Sequence, residues 1–247
     1  FEVREAPTTY VPDDNFEQAL INLGYDNVLD DSVLTANINT VTSLDVGNSN
    51  IADLTGIEDF IALDSLRCQQ NQLISLDLSN NTSLTSLWSQ NNQLTSLDVS
   101  QNTALTYLSC SDNQLTSLDV SNNTVLNSLK CYSNQLTSLD VSYNTVLTVL
   151  NCHDNPLTSL DIRNGNNTNV TFFSAHTNPN LYCISVDDAV YSDANWTNID
   201  PTTSFSSDCS IIPGCTDPNA TNYNPTSILD DGSCCSLSVL SISATTV

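Results

Sequence analysis

The sequence predicts a repeat solenoid built of parallel strand ladders, and three observations carry that prediction. Leu63, Leu84, Leu105, Leu126 and Leu147 open five near-identical units, each 21 residues after the last, a regularity no single-core globular domain shows. Each unit also nearly repeats itself: LTYLSCSDNQ at 105–114 is followed by LTSLDVSNNT, so a period of about ten residues is nested in the longer one. In both halves two apolar residues stand two apart, Leu108 with Cys110 and Leu118 with Val120, which an extended segment turns to the same side. Two extended segments per coil, and so two parallel ladders, are expected in place of a strand backed by helices.

The unit reads Leu-x-x-Leu-x-Cys/Ser-x-x-Asn-x-Leu-x-x-Leu-x-Val/Leu/Ile, as in Leu105, Leu108, Cys110, Asn113, Leu115, Leu118 and Val120. This pattern resembles the leucine-rich repeat, and its nested halves resemble the IRREKO class of bacterial leucine-rich repeats. The Asn closing each half can turn its amide inward and bond the bend backbone of neighbouring coils; Asn71, Asn92, Asn113, Asn134 and Asn155 form one such column.

In chain order, residues 1–12 have Pro7 and Pro12 but no periodicity and read as a leader or linker. Residues 13–40 read as a cap: Asp14 or Asn15 offers an N-cap to FEQALINLG, a short amphipathic helix stopping at Gly24, which would cover the Leu row of the first coil. The solenoid proper spans 41–182. Its first unit, from Val41, has a 22-residue step and resembles an internalin-like first repeat, with a short helix expected in IEDF. After Asp161 the inward pattern of Val170, Phe173 and Ala175 survives only if two residues are inserted near NGNNTN.

Residues 183–210 resemble the C-terminal cap of leucine-rich repeat proteins from marine Bacteroidota. The resemblance implies a Cys183–Cys209 disulfide, with Trp196 and Tyr182 covering the last rung. Residues 211–236 look like a small Asn/Asp-rich module of secreted proteins from the same bacteria, in which Cys215 pairs with Cys234 or Cys235. Residues 237–247 read as a linker or the first strand of a following domain. The resemblance therefore implies a piece of a larger, gliding-type cell-surface adhesin that partners other domains of its own parent chain.

Composition narrows the function. With 28 acidic against 4 basic residues the formal charge is −24, and the basic residues are scattered, which excludes the basic clusters that neutralise phosphates; no nucleic-acid partner is expected. No apolar run is long enough to insert in a membrane. The start at Phe1 and the absence of Met read as a processed, exported protein. Cys68, Cys110, Cys131 and Cys152 share one inward position, with Ser89 filling the gap, and read as buried apolar thiols; the cysteines beyond residue 182 read as disulfides of an oxidising, extracellular or cell-surface location.

Catalysis finds little support: His153 and His176 are the only histidines, and no nucleophile, metalloprotease or phosphate-loop motif occurs. Two candidate cation sites involve calcium. One is the row Asp77, Asp98, Asp119, Asp140 and Asp161, although a solvated Asp row is the ordinary arrangement; the other is the oxygen-rich loop of Asp217, Asn219, Asn222, Asn224, Asp230 and Asp231, which lacks EF-hand spacing. The column Thr95, Thr116, Thr137 and Thr158 raises an ice-binding alternative.

The stronger candidate is the outward face of the first half-coil, whose residues vary while the rest repeats. Arg67, Trp88, Ser109, Lys130 and Asn151 occupy one row, Gln69, Gln90, Ser111, Tyr132 and His153 the next, with Tyr107 beside them. Aromatic anchors with Gln, Asn and Lys hydrogen-bonding groups point to a glycan or protein surface as ligand. The competing reading is a structural spacer within a long surface protein.

Overall fold

A computed structural model describes residues 6–209, 213–221, 223, 227, 229–230 and 234–235. The chain forms two compact units, Phe1–Ser207 and Asp208–Val247. The first is a parallel solenoid with the leucine-rich repeat architecture expected from the 21-residue period.

Its first ladder is a seven-stranded parallel sheet of three-residue strands: Ser43–Asp45, Ser65–Arg67, Ser86–Trp88, Tyr107–Ser109, Ser128–Lys130, Val149–Asn151 and Phe172–Ser174. The register holds equivalent residues opposite each other, Leu66 to Leu87, Leu108, Leu129 and Leu150. It then jumps two residues, so that Phe172 pairs with Val149 and the NGNNTN insertion loops out. All these leucines are fully buried, as are Cys68, Ser89, Cys110, Cys131 and Cys152 behind them.

The second ladder is less regular than the two-ladder expectation. Strands run only through Ser138–Asp140, Ser159–Asp161, Cys183–Ser185 and Ser204–Ser206, and the equivalent SLD segments at 75–77, 96–98 and 117–119 are not paired as strands. There the coils stand apart, and a crevice of about 340 Å³ opens between Ser75–Asp77 and Ser96–Asp98. Coils held at strand spacing along one edge need not close along the other.

Buried asparagine amides bind coil to coil. Asn113 is typical: Oδ1 accepts from the Leu94 N–H at 3.0 Å, while Nδ2 donates to the carbonyls of Ser89 and Cys110 at 3.0 and 3.1 Å. Asn71, Asn92, Asn134 and Asn155 make the same bridges, and Asn178 extends them beyond the insertion. A second column, Asn81, Asn102, Asn123 and Asn144, donates to two carbonyls each at the opposite bend. The residue before each first-column Asn is left-handed, from Gln70 (φ 57°) through Asn91, Asp112, Ser133 and Asp154 to Thr177 (φ 57°). A non-glycine residue there costs energy, and for the β-branched Thr177 the conformation is a genuine outlier; the amide bonds hold it in place.

The N-terminal end differs from the reading of residues 1–12 as a leader. Thr8–Tyr10 is a strand, antiparallel to Ser32–Leu34, and Val11 is fully buried. The two prolines flank an extended segment that needs no periodicity to be held. The helix Asp14–Asn22 is capped by Asp13, one residue before the expected cap, because Asp13 serves two ends at once: Oδ1 accepts from Asn15 and Phe16, and Oδ2 from Ala52 and Asp53 of the first repeat. A second short helix, Thr35–Ile38, completes this cap. The helix expected in IEDF is a 3-10 turn, Ile57–Asp59, entered through Gly56 at φ 103°, where a Cβ would meet the Tyr10 carbonyl at 2.8 Å.

At the other end the strands Cys183–Ser185 and Ser204–Ser206 continue the second ladder, joined by a helix at Ala189–Asn195. Trp196 covers the rung as expected, stacked on Phe173 at 4.4 Å with Phe205 edge-on at 5.8 Å; Tyr182 is only half-buried. Cys183 and Cys209 are each disulfide-bonded. In the second unit Cys215 pairs with Cys234, and Pro213–Gly214 lies parallel to Leu229–Asp230. Residues 237–247 lie outside the described residues.

Replacing Asn113 by Ala orphans the buried Leu94 N–H, while the Ser89 and Cys110 carbonyls keep their bonds from Asn92 and Asn134, so urea denaturation is expected to show a loss of about 1–3 kcal/mol. The four ladder thiols are shielded as well as buried: burial pushes Cys68, Cys110 and Cys152 up to about 12 and Cys131 well above the ordinary thiol value. A thiol reagent at pH 8 is therefore expected to leave all four unmodified in the folded chain and to label all four in denaturant; native labelling would show the column to be open.

Candidate functional site

Each strand of the first ladder is so short that its buried middle residue, Leu in six strands and Phe173 in the seventh, is flanked by two row positions, and a third follows before the left-handed turn. Stacked at about 4.8 Å, these give three rows. The first runs Ser65, Ser86, Tyr107, Ser128, Val149, Phe172; the second Arg67, Trp88, Ser109, Lys130, Asn151, Ser174; the third Gln69, Gln90, Ser111, Tyr132, His153, His176.

That spacing is also the distance at which flat groups stack, and the large side chains stack on each other. The Arg67 guanidinium lies 4.3 Å from the Trp88 ring centroid, Trp88 lies 4.8 Å from Tyr107, and the Lys130 ammonium sits 5.5 Å from the Tyr107 centroid. Because strand order puts Arg67 before and Tyr107 after Trp88, both faces of the indole are covered. A second stack joins Tyr132 to His153 at 4.7 Å and His153 to His176 at 4.6 Å, nearly parallel. Trp88, Tyr107 and His153, flanked on both sides, therefore show solvent their edges, while Tyr132 and His176 each stack through one face on His153.

The sequence-predicted residues Arg67, Gln69, Trp88, Gln90, Tyr107, Lys130, Tyr132, Asn151 and His153 all fall in these three rows, on the strands or two residues past them, Tyr107 in the first row with a diagonal contact to Trp88. Ser174 is buried, and of the residues read as outward from the sequence two are corrected, since Ser109 and Ser111 are buried as well. They are small and lie between longer side chains, Trp88 and Lys130 in one row and Gln90 and Tyr132 in the next, which take the solvent. Val149, Phe172 and His176 were missed. The two-residue insertion that turns Phe173 inward also places Phe172 and His176 outward, and that signal was readable. Lys130, Tyr132, Asn151 and His153 surround, with Ser128, Val149 and Phe172, a depression of about 630 Å³, the size of a small-ligand or side-chain pocket.

His153 Nδ1 lies 2.6 Å from Asn151 Oδ1, which can only accept, so neutral His153 has its proton on Nδ1 and a bare Nε2. Burial and then the neighbouring His176 lower the His153 pKa, partly opposed by Asp154 and Asp112. The folded chain thus binds fewer protons than the unfolded chain near pH 6, and this residue's contribution favours folding above that range and is lost below it.

The candidate cation ligands take part in local turns. Oδ1 of Asp77, Asp98, Asp119, Asp140 and Asp161 each accepts the N–H two residues on, at 2.8–3.0 Å, closing its own turn. These backbone and side-chain bonds hold Asp77, Asp98 and Asp119 below the usual carboxylate range, as Arg163 does for Asp161. Asp217 similarly holds the Asn219 N–H and amide. Asp230 lies in a short strand, and Asn219 is exposed; Asn222, Asn224 and Asp231 fall outside the described residues. Among the described residues no three His, Cys, Asp or Glu side chains converge as a metal site. The Thr95, Thr116, Thr137 and Thr158 column is exposed but sits at bends, not on a flat strand.

With this geometry in place, comparison with known proteins defines a class: the chain has the leucine-rich repeat fold. No family model matches it. Among curated proteins it is similar to Internalin J of Listeria monocytogenes serotype 4b (strain F2365), 47% identical over 73 residues, which are 30% of this chain and 8% of that protein. Among solved structures, the functional domain of InlJ from Listeria monocytogenes, described as including a cysteine ladder, superposes with a TM-score of 0.67 at 35% identity, over 83% of this chain and 49% of that one. An internalin (inlF) from L. monocytogenes strain 4b F2365 shares the fold alone, with a TM-score of 0.61 at 20% identity over 80% of this chain and 71% of that one. The chain thus spans about half of the solved InlJ domain and a small part of Internalin J itself.

In an NMR titration His153 is expected to titrate below the ordinary histidine value of about 6.5, and replacing His176 by Gln should move it upward; an unchanged midpoint would show that the stacked neighbour does not act on it.

Proposed function

We propose that the chain is a non-enzymatic extracellular recognition module that binds a macromolecular partner along the three rows of the first ladder. One observation carries this reading. Here the large aromatic and basic residues of an otherwise similar repeat collect, and they assemble one cation-and-aromatic stack from Arg67 to Lys130 and one ring stack from Tyr132 to His176, beside a ligand-sized depression. A rigid sheet presents them with little ordering cost on binding. Disulfides outside the repeats support an oxidising location, and the likeness to a functional domain of Internalin J supports a role for the solenoid itself.

Ring geometry favours a protein partner over a glycan. A sugar binds an aromatic residue by lying on its face, and Trp88 and Tyr107 have theirs taken by neighbours in the ladder, as does His153. Ring edges, amides and cations suit the mixed apolar and hydrogen-bonding contacts of a protein surface.

Arrays of extracellular proteins and of glycans, probed with the folded chain and with the Trp88→Ala/Tyr132→Ala variant, test this. The expected result is binding to proteins that weakens at least tenfold in the variant, as removal of central aromatic anchors does. Binding indifferent to the variant, or none by the folded chain, would favour the spacer.

A further inference from the structure

The distribution of charge on the recognition face extends that reading to the chemistry of the partner. Carboxylates recur throughout the chain, once per coil in the SLD phrase of the second half alone, yet from Ser65 to His176 the three rows of the first ladder contain no Asp or Glu. Both histidines and two of the four Lys and Arg residues are on those rows. Arg163 is paired with Asp161, whereas Arg67 and Lys130 lie against the Trp88 and Tyr107 rings and have no carboxylate ion pair among the described residues, although Asp45 on the preceding strand stands opposite Arg67. Asp45, at the start of the second row, accepts the Gly47 N–H two residues on, and Asp112 and Asp154, which act on His153, stand on the left-handed turns beyond the third row. Against a net charge of −24, which by itself draws basic partners, this strip has the opposite local character: unpaired cations, stacked imidazoles and the positive edges of aromatic rings.

We propose that the partner is a protein presenting an acidic segment to this strip. The reading rests on the recognition role of the face argued above. The ladder also sets a spacing. Arg67 and Lys130 are three strands apart, about 14 Å at strand spacing, which an extended chain covers in about four residues. Side chains four apart in an extended segment point the same way, so two carboxylates at positions i and i+4 meet the two cations. Two residues further, an apolar side chain reaches the depression over Val149 and Phe172. The segment runs along the ladder, across the strands, with the edges of Trp88 and Tyr107 between its two anchors.

The test is selection of a random displayed 12-residue peptide library on the folded chain, with depletion on the folded Trp88→Ala/Tyr132→Ala variant, so that only peptides dependent on the face are read. Expected are peptides enriched in Asp and Glu, with acidic residues four apart and an apolar residue two beyond. Their affinity should fall about tenfold in Arg67→Gln or Lys130→Gln and drop as salt rises. Arg67 and Lys130 are at the surface, and a thermal melt of each variant confirms that it is folded. Face-dependent peptides that are neutral or basic, or that ignore both charge variants, would overturn the acidic partner while leaving the recognition face standing. No face-dependent peptide at all would overturn both.

Discussion

Buried asparagine amides are the interaction on which this structure depends. A chain that bends twice in 21 residues leaves N–H and C=O groups inside the bends, away from water, and each such group unpaired would cost about 1–3 kcal/mol. Asn113 answers with one acceptor and one shared donor that reach the preceding coil and its own. The pattern recurs at every coil, so satisfying the bend also fixes the distance to the next coil. It also explains the left-handed backbone at residues as poorly suited to it as Gln70 and Thr177: the amide bonds that follow over-determine the turn.

The same constraint shapes the recognition face. Coils locked at strand spacing bring side chains of successive strands to the separation at which rings and guanidinium groups stack. A large planar residue on one strand therefore covers its neighbour, as Arg67 covers Trp88 and His153 covers Tyr132. Rigidity and edge-on presentation thus have one origin. Where the constraint relaxes, along the second halves of the early coils, the ladder loses its pairing and crevices open. Aspartates there close their own turns through Oδ1.

Much of this was legible from the chain alone because a repeat states its structure many times over. Leu66 or Cys110 considered singly is ambiguous, but residues 21 apart report the same environment, and inward and outward positions separate at once. The two-residue shift before Phe173 could be read for the same reason. Legibility failed where repetition stopped. Thr8–Tyr10 has no copy to compare with, and its place is set by pairing with Ser32–Leu34. Asp13 acts as a cap partly because Ala52 and Asp53, distant in sequence, need acceptors. Ser109 and Ser111 occupy outward positions by register and are nevertheless buried, since burial there depends on how long the neighbouring side chains are.

The sequence by itself determined the solenoid, its period, its inward columns and the face on which variation is concentrated, since all of these follow from local alternation repeated at a constant interval. Only the tertiary structure decided which side chains on that face touch. Contact between Trp88 and Tyr107, or among Tyr132, His153 and His176, depends on rotamers chosen jointly by residues about 20 positions apart. Periodicity assigns each a row, but only packing assigns it a partner.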